Sequence, residues 1–162
     1  MPNTPRFTSR TRVFITLLSL SLAFLITYQF YFATRVQAVS TSVVISQIYG
    51  GGGNTGAQYQ NDFVELFNRG NSTVSLSGWS VGYASAAGTG NFATAPISGS
   101  IAPGQYYLVK LGPTGVVGAP LPTADTTGST SINMSGTAGK VVVASTTTLA
   151  CNGGSTPCSA AQ

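Results

Sequence analysis

Past residue 38, apolar positions alternate with polar ones in short runs and never settle into helical spacing. Trp79, Val81 and Tyr83 fall on one side of an extended run, with Ser80 and Gly82 on the other. Val64 and Leu66 oppose Phe63, Glu65 and Phe67, and Tyr107, Val109 and Leu111 oppose Tyr106, Leu108 and Lys110. A period of two is that of a strand, whose successive side chains point to opposite faces. The runs are rich in Val, Ile, Thr, Tyr and Phe, which fit a pleated surface. They predict strands over 42–49, 62–68, 73–76, 79–84, 105–111, 129–134 and 140–145, with a fainter one over 92–97. Seven short strands of this spacing predict an all-β sandwich or barrel. Several are apolar on both sides, so some second faces should be covered too. Trp79, the only tryptophan, is the expected anchor at the centre of the core, because it carries the largest apolar area.

Turn residues divide these runs. The run Gly50-Gly51-Gly52-Gly53-Asn54 ends the first strand in a wide turn, where glycine tolerates positive φ. Pro103-Gly104 suits the centre of a type II turn, and Asn68-Arg69-Gly70-Asn71 reads as a hairpin connection. The stretch 112–128 is long for a loop; it either wanders over the surface or hides an edge strand.

The first 38 residues differ in kind. Arg6, Arg10 and Arg12 precede an uncharged stretch over 13–34, most apolar from 13 to 26. Small residues Val36 and Ala38 stand at the −3 and −1 places of a cut after Ala38. This is the layout of a secretory signal. The alternative is an uncleaved anchor, since the uncharged 13–34 stretch is long enough to span a bilayer. The expected organisation is therefore a signal or transmembrane helix over 1–38 and a β-domain over 39–162, with 146–162 a Cys-containing loop or tail. Either reading puts the β-domain outside the cytoplasm, secreted or tethered to the outer face of the cytoplasmic membrane.

Charge narrows the function. The chain carries a formal net charge of +4, but four of its seven cations lie before residue 39. Residues 39–162 hold Arg69, Lys110 and Lys140 against Asp62, Glu65 and Asp125. Scattered cations on a neutral domain do not make the clustered basic footprint that phosphate backbones require. No direct nucleic-acid binding is expected, and membrane contact only through the N-terminal segment.

Candidate chemistry is sparse. The chain has no histidine, so Ser-His-Asp and Cys-His arrangements and His-ligated zinc are excluded within it. Asp62 and Glu65 are three apart on one strand and point to opposite faces; they are expected to be exposed carboxylates flanking or ending it. Glu65 lies between two phenylalanines on its face, where it would be partly covered and hydrogen-bonded. Gly136-Thr137-Ala138-Gly139-Lys140-Val141 fails as a phosphate loop: the spacing is wrong, and a strand follows it. No catalytic, cofactor or metal residue is assigned. Cys151 and Cys158, six residues apart, are expected to form a disulfide in an exported protein, closing a small loop of modest entropic value. Asn71-Ser72-Thr73 and Asn133-Met134-Ser135 match the glycosylation pattern.

Four blocks carry a family likeness: Val43 to Asn54, Asn61-Asp62-Phe63-Val64-Glu65-Leu66-Phe67-Asn68, Leu76-Ser77-Gly78-Trp79-Ser80-Val81, and Ile101-Ala102-Pro103-Gly104-Gln105-Tyr106-Tyr107-Leu108. In order and spacing they resemble the bacterial branch of the lamin tail domain family, over about residues 43–143. The resemblance implies an immunoglobulin-like β-sandwich without catalytic residues. It also implies a place in secreted proteins, often beside nuclease or phosphoesterase domains. Ser75 departs from the family's usual Asp. Family members continue with a further apolar strand where this chain ends at Gln162, so the sandwich is expected to lack its last strand or two. The expected function is a non-catalytic exported binding or structural module for a protein or surface ligand, with Tyr49, Tyr59, Tyr83 and Tyr106 as contributors. The alternative is an accessory N-terminal domain of a secreted nuclease or phosphoesterase.

Overall fold

The computed structural model describes Ser21 and residues 42–154. The chain divides into two compact units, Met1–Gln37 and Ala38–Gln162, and the described strands belong to the second. The signal segment, its cut after Ala38, and Cys158 lie outside the described residues. Among the described residues no helix is long and apolar enough to cross a membrane.

The described strands are β1 (Val43–Tyr49), β2 (Asp62–Asn68), β3 (Val74–Ser75), β4 (Trp79–Ser85), β5 (Ala93–Ile97), β6 (Ser100–Ile101), β7 (Tyr106–Leu111), β8 (Thr126–Thr127) and β9 (Gly139–Ala144). One sheet runs β1-β2-β7-β8, a second runs β5-β4-β9, and β3 pairs only with β6. All pairings are antiparallel except β7–β8. The alternation read from the sequence sets the layers. Val64, Leu66, Tyr107, Val109 and Leu111 from the first sheet meet Val81, Ala95 and Ile97 from the second in one buried cluster. Leu76, Ile101, Ile132 and Met134 complete it. The domain is all-β, with two main sheets turned towards a shared core.

Three expectations need correction, and the alternative left open for 112–128 falls to the edge strand. No strand forms over 129–134. Ser129 and Ser131 bond to each other through their hydroxyls at 2.7 Å, and the Ser131 N–H donates to Ser129 Oγ at 3.3 Å. Such local bonds offer the backbone an alternative to a ladder. Ile132 and Met134 still reach the core, at 1% and 3% exposure. Residues 68–71 are not a hairpin turn, because β2 pairs with β7 and β3 with β6, so this connection carries the chain between sheets. The stretch 112–128 supplies the short edge strand β8. Lastly, Trp79 is not the centre of the core. It is half-buried and packs against the cluster, while Val81 is fully buried. Trp79 opens β4 directly after a turn in which its N–H donates to the Leu76 carbonyl at 3.0 Å. An indole at a strand end covers the margin of a sandwich, and the middle falls to the smaller side chain.

The turn chemistry holds. Gly104 takes φ +71°, and the Gln105 N–H closes the turn on the Ala102 carbonyl at 3.1 Å, as a type II Pro-Gly turn requires.

Candidate interaction surface

Any chemistry would start from the ionisable side chains. Asp62 is 1% exposed, not the exposed carboxylate expected from its place at a strand start. Its Oδ1 accepts the Gly52 N–H at 2.7 Å and its Oδ2 the Met134 N–H at 2.5 Å. One carboxylate thus clasps the glycine run and the 129–135 segment onto the head of β2. The clasp explains the glycines. A Cβ on Gly52 would stand 2.1 Å from the Asn61 carbonyl carbon, and one on Gly50 would stand 2.3 Å from the Ser135 oxygen. The run is a site of backbone packing and not a ligand cradle.

Glu65 projects from the opposite face of β2 and is half-buried, as its neighbouring phenylalanines suggested. Ser46 Oγ donates to Glu65 Oε1 at 2.6 Å. Ser46 is available because it is the extra residue of a bulge: Ile45 pairs with Leu66 and Gln47 with Glu65. Asp125 accepts the Leu108 N–H at 2.8 Å beside β8. Each carboxylate thus has its own local donor, and Asp62 and Glu65 stand on opposite sides of a sheet. Among the described residues no group of three or more His, Cys, Asp or Glu could hold a metal. Lys140 Nζ donates to the Gly88 carbonyl at 2.9 Å and to the Gly153 carbonyl, so the Gly-Lys pair binds the chain to itself. Cys151 is 2% exposed and is not a free thiol.

The outer face of the first sheet can be read across three strands. Val44, Phe67 and Tyr106 form one row; Gln47, Glu65 and Leu108 the next; Tyr49, Phe63 and Lys110 the third. The third row is closed. Tyr49 stacks on Phe63 with centroids 5.4 Å apart, and Tyr59 stands edge-on to both. Tyr49 Oη accepts the N–H groups of Gln58 at 2.7 Å and Tyr59 at 3.3 Å, which holds the loop over the rings. The first row is open. Phe67 and Tyr106 lie 4.7 Å apart at 38°, and Tyr106 is 59% exposed. Of the four tyrosines named from the sequence, Tyr49 and Tyr59 pack a loop. Tyr83 accepts the Ser135 N–H at 3.0 Å, and only Tyr106 faces outward as a large exposed ring.

Two shallow grooves flank the sheets. One of about 440 Å³ runs between Gln60, Lys110 and the prolines Pro120 and Pro122. The other, about 340 Å³, lies between Tyr83, Asn91, Ser131 and Asn133.

Sequence reasoning passed over Asn68. It is fully buried; its Nδ2 donates to the Ser72 and Ile101 carbonyls at 2.8 Å, and its Oδ1 accepts the Gly70 N–H at 2.9 Å. Every hydrogen-bonding direction but one is used, which fastens the crossing between sheets to the Pro-Gly turn. The Glu65-Leu66-Phe67-Asn68 ending of its block was visible, but only the folded chain shows what the amide holds.

A family model described as Lamin Tail Domain matches residues 36–156. No curated protein matches the chain.

Proposed function

Because the chain belongs to the lamin tail domain family, we propose that it acts as a non-catalytic, immunoglobulin-like β-sandwich that presents a surface to a macromolecular partner outside the cytoplasm. The observation that carries this is the open row of Val44, Phe67 and Tyr106 on a sheet whose other side is core, while each carboxylate is engaged by a local donor. Aromatic side chains on a rigid strand bind at low entropic cost. The near-neutral charge of residues 39–162 favours a protein or uncharged surface ligand over nucleic acid.

A photo-reactive side chain at position 44 of the full chain, in the same row, should capture a partner on the producing cell, and adding Tyr106→Ser should abolish capture while leaving thermal unfolding unchanged. Turnover of DNA or of a phosphate diester by the purified chain would overturn the reading. Export by cleavage after Ala38 predicts a mature N-terminus at Val39; a start at Met1 or Pro2 would assign an anchor instead. The Cys151–Cys158 bridge predicts no titratable thiol in the native, unreduced protein.

A further inference from the structure

Each main sheet ends in strands with one unpaired side, and the chain treats these edges differently. β8 is two residues long. β5 carries Pro96, which has no N–H to offer. β9 opens with Gly139-Lys140, and Lys140 puts a charge on it. Short length, proline and lysine are the usual means of blunting an edge. β1 has none of them. It reads Val-Val-Ile-Ser-Gln-Ile-Tyr, seven residues without charge, proline or glycine, and it ends its sheet. Its apolar surface is also unfinished. Ile48 pairs with Val64, which is fully buried, so it lies on the core side of the sheet; yet Ile48 is 49% exposed. Among the described residues no strand neighbours β1 on its other side.

We propose that the open edge of β1 is a self-association surface, where a second copy of this chain adds antiparallel about a two-fold axis. Ile48 then meets the other copy's Ile48 on the core side, and Gln47 and Tyr49 face each other across the axis on the outer side. A second copy fits because it brings, in register, an Ile48 as exposed as the one it meets, so each copy covers the apolar side chain that the other leaves open. Opposed copies place no like charges opposite one another in the ladder. Residues 39–162 carry as many cations as anions, so no net repulsion opposes the approach. Two devices stop growth at two. The bulge at Ser46 breaks the ladder and confines pairing to the end around Ile48. The other edges are blunted, so the interface is isologous and closed.

The test is the mass in solution of the purified full chain in detergent micelles, by light scattering across a concentration series. The unmodified chain should move from one copy to two as concentration rises, with slowed hydrogen exchange at 47–49 in the paired form. Ile48→Lys and, separately, Gln47→Pro should leave it monomeric over the same range, with an unchanged far-ultraviolet spectrum. Val116→Lys, in a loop position 93% exposed, should leave the dimer intact. A monomer at every concentration would overturn the proposal. So would a dimer that survives both edge substitutions, which would place association in the N-terminal segment. Protection of 47–49 in a monomer mixed with an unrelated β-peptide, without self-pairing, would assign the edge to a foreign strand and also overturn it.

Discussion

The two main sheets both carry side chains on their outer faces, and among the described residues only one of those faces is roofed along its length. Over β5-β4-β9 the chain folds back as residues 145–154. Ser80 Oγ donates to the Thr146 carbonyl at 2.7 Å, Gly153 N–H bonds the Gly90 carbonyl at 2.9 Å, and Lys140 ties Gly88 to Gly153. Ser80 is fully buried although its strand alternation assigns it to the outside. Over β1-β2-β7-β8, in contrast, Phe67 and Tyr106 stand without such a layer among the described residues, and Tyr106 is 59% exposed. Polarity alone would have reversed this assignment. The covered face carries Ser80, Gly82 and Ala84; the open one carries Phe67 and Tyr106. Size accounts for it. Small side chains let a backbone lie close enough to bond and exclude water, whereas over Phe67 and Tyr106 no described segment comes that close.

The contrast between a committed and an open surface is sharpest within β2. Asp62→Ala would leave the Gly52 and Met134 N–H groups buried and unpaired, and should cost about 3 kcal/mol in urea unfolding. Glu65→Ala, on the open side of the same strand, should cost under about 1 kcal/mol. Equal losses would break the distinction between the faces.

Gly82→Leu tests the roofed face. A Cβ at Gly82 already meets Leu149 and Val142 at 2.9 Å and Phe92 at 3.2 Å. Overpacking should cost about 2 kcal/mol, with amide exchange accelerated across 145–154. A neutral result would mean that the roof is not packed in solution.

Tyr107 joins the sheets from within, its hydroxyl donating to the Ser98 carbonyl at 2.5 Å. Tyr107→Phe leaves that carbonyl unpaired and should cost about 1 kcal/mol at neutral pH. Burial, with the nearby Asp125 charge adding to it, raises the Tyr107 phenol above its ordinary 10.0. The native state therefore holds this proton more tightly than the unfolded chain does. Its contribution is complete below pH 10 and is lost as pH climbs through the raised value. Unfolding midpoints should fall on that alkaline limb, and Tyr107→Phe should make the fall shallower.

The smallest effect belongs to the open face. Tyr106→Ser should change stability by less than about 0.5 kcal/mol. A larger loss would mean that the ring is part of the fold and not held out to a partner.

Much of the fold was legible because strand geometry is local. Val64 and Leu66 against Phe63 and Phe67, or Tyr107 and Val109 against Tyr106 and Leu108, kept their sides because a period of two needs no knowledge of what lies opposite. Pro103-Gly104 made its turn for the same reason. Serine was the local signal read too weakly: Ser129 and Ser131 bend 129–134 away from a ladder even though Ile132 and Met134 stay in the core. The candidate surface was legible only as a set of tyrosines, with nothing to separate Tyr106 from the three whose rings or hydroxyls serve the fold.

By itself, then, the order of residues determined an all-β domain, the sides of its main strands and the conformation of its Pro-Gly turn, since each depends on neighbours a few positions away. Tertiary structure decided that Asp62 is buried and paired, that Trp79 sits at a margin, that Ser80 lies under a roof and Tyr106 does not. Those outcomes depend on which distant segment arrives, and on whether the side chains it meets leave room for its backbone.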